Sequence, residues 1–430
     1  MNLTNRNIIA ALMGTFVEYY DYALYGFSAA LIADAFFPMS DPSVGLIKSF
    51  GVFAVGFAAK PLGSAVFGKI SDTLGRRFTL KYSIMGVAIP TTIIGFLPNY
   101  TDWGLVATVI LIACRFCQGL FVSAEYDAAA IYLIENVKRE RHCLAKSLIP
   151  MSATLGVLAA SSILALMKIL QMPHWAWRIP FLLGGLLAVI TVLLRKNFEE
   201  SFEFSQYKKN HQSVPTIPLK RVISNNWRQM LAAMLVCGGI GGLFNFYIMF
   251  WNTYLNRALN LFSETESFIY TTITIASYVL LYPLSGVVAD KYGRERTLFI
   301  GCIASIILFA TNMLVISNGA YSIPLQILTA GVIPFTRVTG YVIVTKMFSV
   351  EQRHRCLGIA HAFGSMLFSG TAPLVGMALW RLTDVPHMPL VYCFVLIGMI
   401  VVSILYLMRQ KNYNQFMDLP EATARKSQAA

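Results

Sequence analysis

Charged residues are scarce in this sequence, and their scarcity excludes a soluble globular protein. Asp, Glu, Lys and Arg make up 13% of the 430 residues, whereas soluble domains carry about 25%. Hydrophobic residues make up 56%, and the mean hydropathy is +0.61. A chain of this composition is expected to cross a membrane many times.

Other kinds of chemistry are missing as well. The seven cysteines are scattered, and Cys114 and Cys117 form a lone C-x-x-C where a structural zinc site needs four ligands. No G-x-x-x-x-G-K-[ST] loop is present, so ATP is not expected to drive this protein directly. The apolar segments hold neither a nucleophile–base pair nor a metal-ligand set. We therefore expect no enzyme, no metal and no cofactor.

The N-terminus does not have the form of a cleavable signal. Its apolar run contains Glu18 and Asp21 and lacks a short apolar core with a small-residue cleavage site, so we expect it to remain as the first span. Runs of about 20 apolar residues can cross a bilayer. They predict twelve spans, near residues 8–33, 44–68, 79–98, 104–133, 146–169, 176–195, 229–254, 266–288, 297–316, 321–347, 357–380 and 389–408.

The net charge of +13 does not indicate a nucleic-acid partner, because the basic residues are unevenly placed. If the N-terminus is cytoplasmic, Lys and Arg concentrate in the tail and in the loops on that side. The opposite loops hold only Lys48, Lys168, Arg178, Arg257 and Arg381. This is the positive-inside bias of membrane insertion. It predicts an inner-membrane protein with both termini in the cytoplasm.

One motif occurs twice, about half the chain apart. Residues 68–77 read GKISDTLGRR, and residues 286–296 read GVVADKYGRER; both fit G-x-x-x-D-x-x-G-R between the second and third spans of a half. Such a duplication predicts an all-α membrane protein with two six-helix bundles around a central cavity. The predicted parts are a bundle at 1–195, a cytoplasmic linker at 196–228, a bundle at 229–408 and a cytoplasmic tail at 409–430.

The repeated loop has the residues of a gate. Glycine allows a tight turn and close helix approach. The aspartate can pair with a loop arginine or lie at a helix N-terminus, where the helix dipole favours an anion. Such contacts would hold the cytoplasmic side closed; the alternative is a loop that only signals membrane insertion. The candidate gating residues are Gly68, Asp72, Gly75, Arg76, Arg77, Asp290, Gly293 and Arg294.

Four further segments resemble one family closely. They are GTFVEYYDYALYG (14–26), RFCQGLFVSAEY (115–126), WRIPFLLGG (177–185) and FSGTAPLVG (368–376). With the twelve spans and the repeated loop, they resemble the metabolite:proton symporter family of the major facilitator superfamily, which includes α-ketoglutarate, citrate, shikimate and proline/betaine permeases. The sequence departs from the family pattern at four places: Tyr19 replaces Trp, Ser123-Ala124 replace Gly-Gly, Thr73 replaces a base, and Lys60 replaces Arg.

Charged residues inside the spans are the candidates for function, because each costs roughly 3 kcal/mol to insert. At about 100° per residue, Glu18, Asp21, Tyr22 and Tyr25 share one face of span one. Arg115, Gln118 and Glu125 form one stripe of span four, and Asp127 is expected to point elsewhere. The resemblance places spans one, four, seven and ten around the pathway. It implies that Asn245, Trp251, Asn252 and Arg337 face the pathway as well.

Two roles follow for these residues. An acid in a dry site can take up a proton, so Glu18, Asp21 and Glu125 are the predicted proton-coupling residues. Arginine recognises carboxylates through two parallel hydrogen bonds. The predicted substrate-binding residues are Tyr22, Tyr25, Arg115, Gln118, Asn245, Trp251, Asn252 and Arg337.

Structural alternatives exist for several of these residues. Asp21 and Arg115 could form only a structural salt bridge. The aromatic residues of 244–254 could serve packing alone, and so could His361. Lys60 is expected to extend its ammonium toward the interface or to pair with loop acids.

The sequence thus predicts a monomeric proton-coupled symporter that imports a small organic acid, with protons, that solute and the lipid bilayer as its only partners. Span five lacks the Gly-Pro-rich motif common in exporters, which favours import. The alternatives are a proline/betaine-type zwitterion symporter, an importer of a citrate-type siderophore, and an exporter. A membrane sensor would need an effector domain, for which the residues after span twelve are too few.

Overall fold

The computed structural model describes residues 5–37, 42–210, 218–251, 254–255, 259, 261, 264–350 and 352–410. In these ranges every regular element is a helix. The helices of the first half are α1 (Asn5–Phe27), α2 (Ala29–Phe36), α3 (Pro42–Leu74), α4 (Arg76–Phe96), α5 (Tyr100–Trp103), α6 (Leu105–Asn136), α7 (His142–Ile169), α8 (Arg178–Leu194) and α9 (Phe202–Asn210).

The second half continues the pattern. Its helices are α10 (Leu219–Asn245), α11 (Glu264–Tyr292), α12 (Arg294–Ser317), α13 (Ile323–Lys346), α14 (Arg353–Gly364), α15 (Ala372–Thr383) and α16 (Val391–Met408). Two π-helical stretches, Phe246–Trp251 and Ser365–Ser369, follow α10 and α14. Single 3₁₀ turns lie at Arg139–Arg141, His174–Trp177, Arg195–Asn197 and Met388–Leu390.

Eleven segments in the described ranges are long and apolar enough to cross a membrane. The helix α1 is not among them. It has 23 residues, and at 1.5 Å per residue it reaches about 35 Å, which is enough for a bilayer core of about 30 Å. The buried Glu18 and Asp21 lower its hydropathy. The eleven segments and α1 together agree with the predicted all-α polytopic membrane fold.

The chain divides into two compact units. One comprises Met1–Lys138 and Leu148–Ser213, and the other comprises Arg139–Ser147 and Val214–Ala430. The boundary near residue 213 falls inside the segment predicted as a linker. The sequence does not predict that the start of α7 belongs to the second unit.

Several boundaries differ from the predicted ones. The first span bends at Ser28, whose ψ of 7° lies outside the helical range. The predicted linker contains α9 and the first turns of α10, since polar helix ends such as Lys220 and Arg221 can project beyond the apolar core. Between α14 and α15 the eleventh span contains the π-helical stretch Ser365–Ser369, and Pro373, the second residue of α15, lacks the N–H that a continuous helix needs.

The first unit is organised around α6, which packs against α1, α3 and α4. Close approach depends on glycine: a Cβ at Gly119 of α6 would collide with the Gly56 carbonyl of α3. Small residues allow membrane helices to pack backbone to backbone. Because three helices surround α6, more than one of its faces is buried.

Candidate functional site

The core of the site is a buried network around Asp21 of α1. Its carboxylate lies 3.5 Å from Arg115 Nη1. It also accepts hydrogen bonds from the Thr91 hydroxyl at 2.8 Å and from the Gln118 side-chain amide at 3.0 Å. The structure therefore contains the Asp21–Arg115 ion pair that the sequence left open as an alternative to a functional role.

Arg115 is held on several sides. One Nη donates to Gln118 Oε1 at 2.8 Å. The guanidinium carbon lies 4.2 Å from the centre of the Tyr25 ring and 5.6 Å from that of Phe53. Its Nε is buried and meets no hydrogen-bond partner within the described ranges. Tyr25 is positioned in turn by a 3.3 Å hydrogen bond from its hydroxyl to the Ser49 carbonyl.

Glu18 lies one turn from Asp21 but has a different environment. Its side chain is 4% exposed, and among the described residues Oε2 has no hydrogen-bond partner. The charged groups that act on it are Asp21, Lys60, Glu125 and Asp127. Glu18 is therefore buried without the direct hydrogen bonds that fix Asp21.

Lys60 does not lie where the sequence predicts, and Asp127, although on another side of α6 from the stripe, is buried. The Lys60 ammonium lies 4.6 Å from the centre of the Phe57 ring and 5.9 Å from that of Tyr22, and it interacts electrostatically with Glu18 and Asp127. It faces buried acids instead of loop acids. Asp127 is 2% exposed although it lies on another side of α6 from Glu125, because α6 has neighbours on several sides.

Glu125, a predicted proton-coupling residue, is instead the acid of a second ion pair. Its Oε1 lies 2.5 Å from Arg195 Nη2, and its Oε2 accepts from Ser83 at 2.5 Å and from Arg195 Nη1 at 3.0 Å. It shares a stripe with Arg115, but ten residues along a helix separate them by about 15 Å. Arg115 and Glu125 therefore lie at different depths along α6 and contact different residues.

Sequence reasoning missed Arg195. It is the last residue of the predicted sixth span, next to the linker, where a basic residue is expected from the positive-inside bias alone. In the structure its guanidinium is buried and donates to the carbonyls of Ala10, Ala11 and Leu80 as well as to Glu125. A Cβ at Gly14 would collide with both members of the pair, which explains why a glycine stands there.

The first copy of the repeated motif forms a salt-bridge network. Arg76 binds Glu135 through Nε at 3.1 Å and Nη2 at 3.0 Å, and its Nη1 lies 3.7 Å from Asp72. Gly75 begins α4 with φ 109°, a value that favours glycine. Gly68 is buried at the preceding turns of α3, while Arg77 is exposed.

Glu200 completes this network at the N-terminus of α4. Its carboxylate accepts the backbone N–H groups of Arg76 at 2.8 Å and Arg77 at 3.3 Å, where the helix dipole favours a negative charge. Burial nevertheless raises the pKa of Glu200, and the hydrogen bonds from the backbone of Ser201 and Arg76 offset part of that rise.

In the second copy of the motif, the aspartate lies at a helix N-terminus. Asp290 accepts the backbone N–H groups of Cys143 at 2.9 Å and Leu144 at 2.8 Å, so it caps the N-terminus of α7. Gly293 begins α12 with φ 96°. Arg294 interacts electrostatically with Asp290. The two copies thus differ: Asp72 pairs with an arginine, and Asp290 lies at a helix N-terminus.

In the second unit, Arg337 of α13 is the principal predicted residue. It is buried, donates to the Tyr282 hydroxyl at 2.8 Å, and lies 4.2 Å from the centre of the Phe244 ring. The Asn245 side-chain amide donates instead to the Ser369 hydroxyl at 3.0 Å and to the Ser369 carbonyl at 3.1 Å. Trp251 is fully buried and stacks on Phe246. Asn252 lies outside the described residues.

Comparison with known proteins agrees with this architecture. The model of the family described as "Sugar (and other) transporter" matches residues 6–214, and that of the "Major Facilitator Superfamily" matches residues 242–416. Together the two models cover residues 6–214 and 242–416, so both halves of the chain support the resemblance to the major facilitator superfamily that the sequence indicates. The protein is a multi-pass membrane transporter of small metabolites and not an enzyme.

Curated superfamily members similar to this chain carry different substrates. The inner membrane metabolite transport protein YhjE of Escherichia coli is 28% identical and aligns over 89% of each chain. The proline/betaine transporter of Salmonella typhimurium is 26% identical over 91% of this chain and 81% of its own. The alpha-ketoglutarate permease of Escherichia coli is 28% identical over 86% of each.

The fold is shared with a solved superfamily structure. The proton:xylose symporter XylE, bound to 6-bromo-6-deoxy-D-glucose, superposes with a TM-score of 0.75 over 94% of this chain and 95% of its own, at 15% sequence identity. At that identity the likeness shows the fold alone. It confirms the predicted superfamily fold, and it leaves the substrate to be argued from this chain's own residues.

Proposed function

We propose that this transporter is a proton-coupled symporter that imports a small organic acid by alternating access. It acts as a monomer in an inner membrane, with both termini in the cytoplasm. The observation that carries the proposal is an excess of acid in the buried cluster around Glu18 and Lys60. In the described part of the chain, this cluster contains three acids and two bases: Glu18, Asp21 and Asp127, and Lys60 and Arg115. Glu125 also acts on Glu18, but its charge is neutralised by Arg195.

This charge balance supports proton coupling. Three carboxylates against two cations leave one negative charge that the buried groups do not compensate. An uncompensated buried charge is strongly destabilising, and one proton removes it. Intramembrane acids in transporters commonly serve as proton relays. The proposal therefore assigns one coupling proton to this cluster.

Glu18 is the proposed carrier of that proton. Asp21 is held by Arg115, Thr91 and Gln118, and such contacts favour its charged form. In the described part of the chain, Glu18 has an oxygen without a hydrogen-bond partner. It can therefore gain and lose a proton without dismantling a network, whereas Glu125 cannot because both of its oxygens are paired.

An anionic substrate is favoured by the cations. Arg337 presents a guanidinium fixed by Tyr282 and Phe244, and arginine suits a carboxylate. The relative named alpha-ketoglutarate permease is consistent with an acid. A zwitterion such as proline or betaine is the second candidate, favoured by the relatives named proline/betaine transporter.

Uptake into proteoliposomes under an inward proton gradient tests the proposal. We expect labelled α-ketoglutarate or citrate to accumulate and a protonophore to abolish the accumulation. Glu18→Gln should lose gradient-driven accumulation but keep exchange of internal for external substrate. The exposed Glu140 supplies the control variant Glu140→Gln, which should behave as the wild type. Gradient-driven accumulation by Glu18→Gln at the wild-type level would contradict the assignment.

A further inference from the structure

One side chain joins the two π-helical stretches of the second unit. Asn245 is the last residue of α10 and directly precedes the stretch Phe246–Trp251. Its amide donates to the Ser369 hydroxyl at 3.0 Å and to the Ser369 carbonyl at 3.1 Å, and Ser369 is the last residue of the stretch Ser365–Ser369. Because π-helical stretches inside α-helices are frequent at functional sites, a contact that connects two of them points to more than packing.

Pro373 explains why the Ser369 carbonyl needs a donor from outside its own helix. In an α-helix this carbonyl accepts the N–H of the residue four positions later, which here is Pro373, and proline has no N–H. In a π-helix the donor lies five positions later, so in that register Pro373 cannot serve the Phe368 carbonyl. Asn245 of α10 supplies a donor to the Ser369 carbonyl. The Tyr392 hydroxyl of α16 supplies one to the Phe368 carbonyl, at 2.9 Å.

Glycines of α10 allow this close approach. A Cβ at Gly241 would lie 2.8 Å from the Ser369 Oγ, and a Cβ at Gly242 would lie 3.2 Å from the Phe368 carbonyl oxygen. Small residues let membrane helices pack backbone to backbone. Asn245 lies one turn beyond these glycines on the same face of the helix, so its short side chain reaches a backbone carbonyl of span eleven.

A carbonyl that is satisfied from another helix can be released more easily than one bonded within its own helix. The hydrogen bond breaks when α10 and span eleven move apart, whereas a bond inside a helix moves with that helix. Losing one neutral hydrogen bond changes an equilibrium by only about fivefold. Proline and π-helical stretches are also the usual places where helices bend, and here a side-chain donor is present for either register. Span eleven therefore has the local features of a hinge.

We propose that Ser365–Ser369 and Pro373 form a hinge of span eleven, and that Asn245 is the positioning residue that holds this hinge in the present conformation. Transport then breaks and remakes the hydrogen bond between Asn245 and Ser369 as the hinge moves. Asn245 thus acts on the protein backbone, whereas the sequence predicts that it contacts the solute. The inference rests on the alternating access of the proposed function, but on neither the organic acid nor the proton.

Hydrogen–deuterium exchange of the purified full-length protein, without any solute, tests the hinge. Mass spectrometry follows the amides of peptides covering 365–375. Asn245→Leu keeps the approximate shape of the side chain and removes its N–H donor, so these amides should exchange about fivefold faster, the scale of one lost hydrogen bond. Pro373→Ala restores the missing backbone N–H. Adding Asn245→Leu to Pro373→Ala should therefore change the exchange rate by no more than about twofold, the usual error of additivity.

The matched control is Asn312→Leu, which removes another buried asparagine of the second unit. The Asn312 amide donates to the Leu308 carbonyl and to the Thr329 hydroxyl, both at 2.8 Å, so exchange at 365–375 should stay at the level of the parent protein in both backgrounds. The inference is overturned if Asn245→Leu leaves this exchange unchanged, or if it speeds exchange equally in both backgrounds.

A second variant keeps the test decisive if Pro373→Ala does not fold. Tyr392→Phe removes only the hydroxyl that serves the Phe368 carbonyl, so it should speed exchange at 365–375 as Asn245→Leu does. Unchanged exchange in Tyr392→Phe would then overturn the inference. Thermal melting in detergent shows which variants are folded.

Transport rates separate a hinge from a contact that is merely structural. The measurement is the initial rate of α-ketoglutarate uptake into proteoliposomes over a range of concentrations. Pro373→Ala should lower the maximal rate several-fold, because a continuous helix bends less readily. A structural contact predicts the wild-type rate for Pro373→Ala, and that result would overturn the hinge. A raised KM in Asn245→Leu with unchanged exchange would also overturn it, and would return Asn245 to the predicted substrate-binding role.

The inference and the proposed function fail in different ways, because the exchange measurement needs no solute. If the wild type takes up glycine betaine but no acid, the proposed substrate class is wrong, and the same rates are measured with betaine. If uptake needs no proton gradient, proton coupling is wrong and the hinge stands. If acids accumulate with the gradient while Asn245→Leu leaves exchange at 365–375 unchanged, the hinge is wrong and the symporter stands.

Discussion

Arg195 Nη2 lies 2.5 Å from Glu125 Oε1, and both side chains are 1% exposed. The pair joins the middle of α6 to the turn after α8, and Arg195 also binds two carbonyls of α1 and one of α4. Four segments distant in sequence thus meet at one guanidinium. A buried arginine that satisfies this many acceptors is a structural anchor of the first unit.

Removing one member of this pair should destabilise the protein severely. Arg195→Met leaves the Glu125 carboxylate buried without its partner, which typically costs about 3–5 kcal/mol. We expect a large fall in the melting temperature in detergent. The matched control is Lys196→Met, at the exposed neighbouring position, which should melt close to the wild type.

The double variant Glu125→Gln with Arg195→Met separates the charge from the packing. It removes both charges together, so it should melt above Arg195→Met alone. If Arg195→Met and Lys196→Met melted at the same temperature, the anchoring role would be wrong.

The sequence predicts the helices of this protein much better than it predicts their partners. Spans and the repeated G-x-x-x-D-x-x-G-R loop are local patterns, so they can be located from the residues alone. Helical periodicity shows that Glu125 and Arg115 lie on the same side of α6. It does not show how deep each side chain lies in the membrane or which helix each one contacts. Arg195 lies 70 residues from Glu125, and only the packing of α6 against its neighbours could bring them together.

The same limit applies to Lys60. A lysine near the end of a span can extend toward the interface, and the sequence offers no reason to prefer the other direction. The packing of α3 against α1 and α6 turns the side chain toward Phe57 and the buried acids instead. Glu18 and Asp21 of α1, in contrast, could be identified because two carboxylates in an apolar run are costly wherever they face.

Gly14 should tolerate no side chain. A Cβ at this position would collide with the Glu125 carboxylate and the Arg195 guanidinium, and overpacking of this kind costs about 1–3 kcal/mol. We expect Gly14→Ala to lower the melting temperature. Gly26 lies on the same helix with open space around it, so Gly26→Ala should be neutral or stabilising, since alanine is favoured over glycine in helices by about 0.5–1 kcal/mol. Equal melting of the two variants would contradict the assignment.

The two adjacent arginines of the first motif should respond differently to the same change. Arg76 is buried and binds Glu135 through two nitrogens, a geometry that lysine cannot reproduce. Arg76→Lys should therefore cost about 1.5–3 kcal/mol through the lost charged hydrogen bond. Arg77 is exposed, so Arg77→Lys should have little effect. Melting curves of the two variants check this; a larger fall for Arg77→Lys would refute it.

Two tyrosines of α11 offer a test of Arg337 in transport. The Tyr282 hydroxyl accepts a 2.8 Å hydrogen bond from Arg337, whereas the Tyr278 hydroxyl finds no hydrogen-bond partner among the described residues. Both rings are fully buried. If Arg337 binds the substrate carboxylate, Tyr282→Phe releases the guanidinium from its oriented position.

We therefore expect Tyr282→Phe to raise the KM for acid uptake several-fold, because a misplaced guanidinium loses part of its bidentate geometry. Tyr278→Phe removes a hydroxyl of the same kind one turn away, so it controls for the loss of polarity and should leave the KM near the wild-type value. Initial rates in proteoliposomes over a range of substrate concentrations measure both. Equal KM values in the two variants would mean that Tyr282 does not orient a substrate-binding arginine, and Arg337 would then be a structural residue of α13.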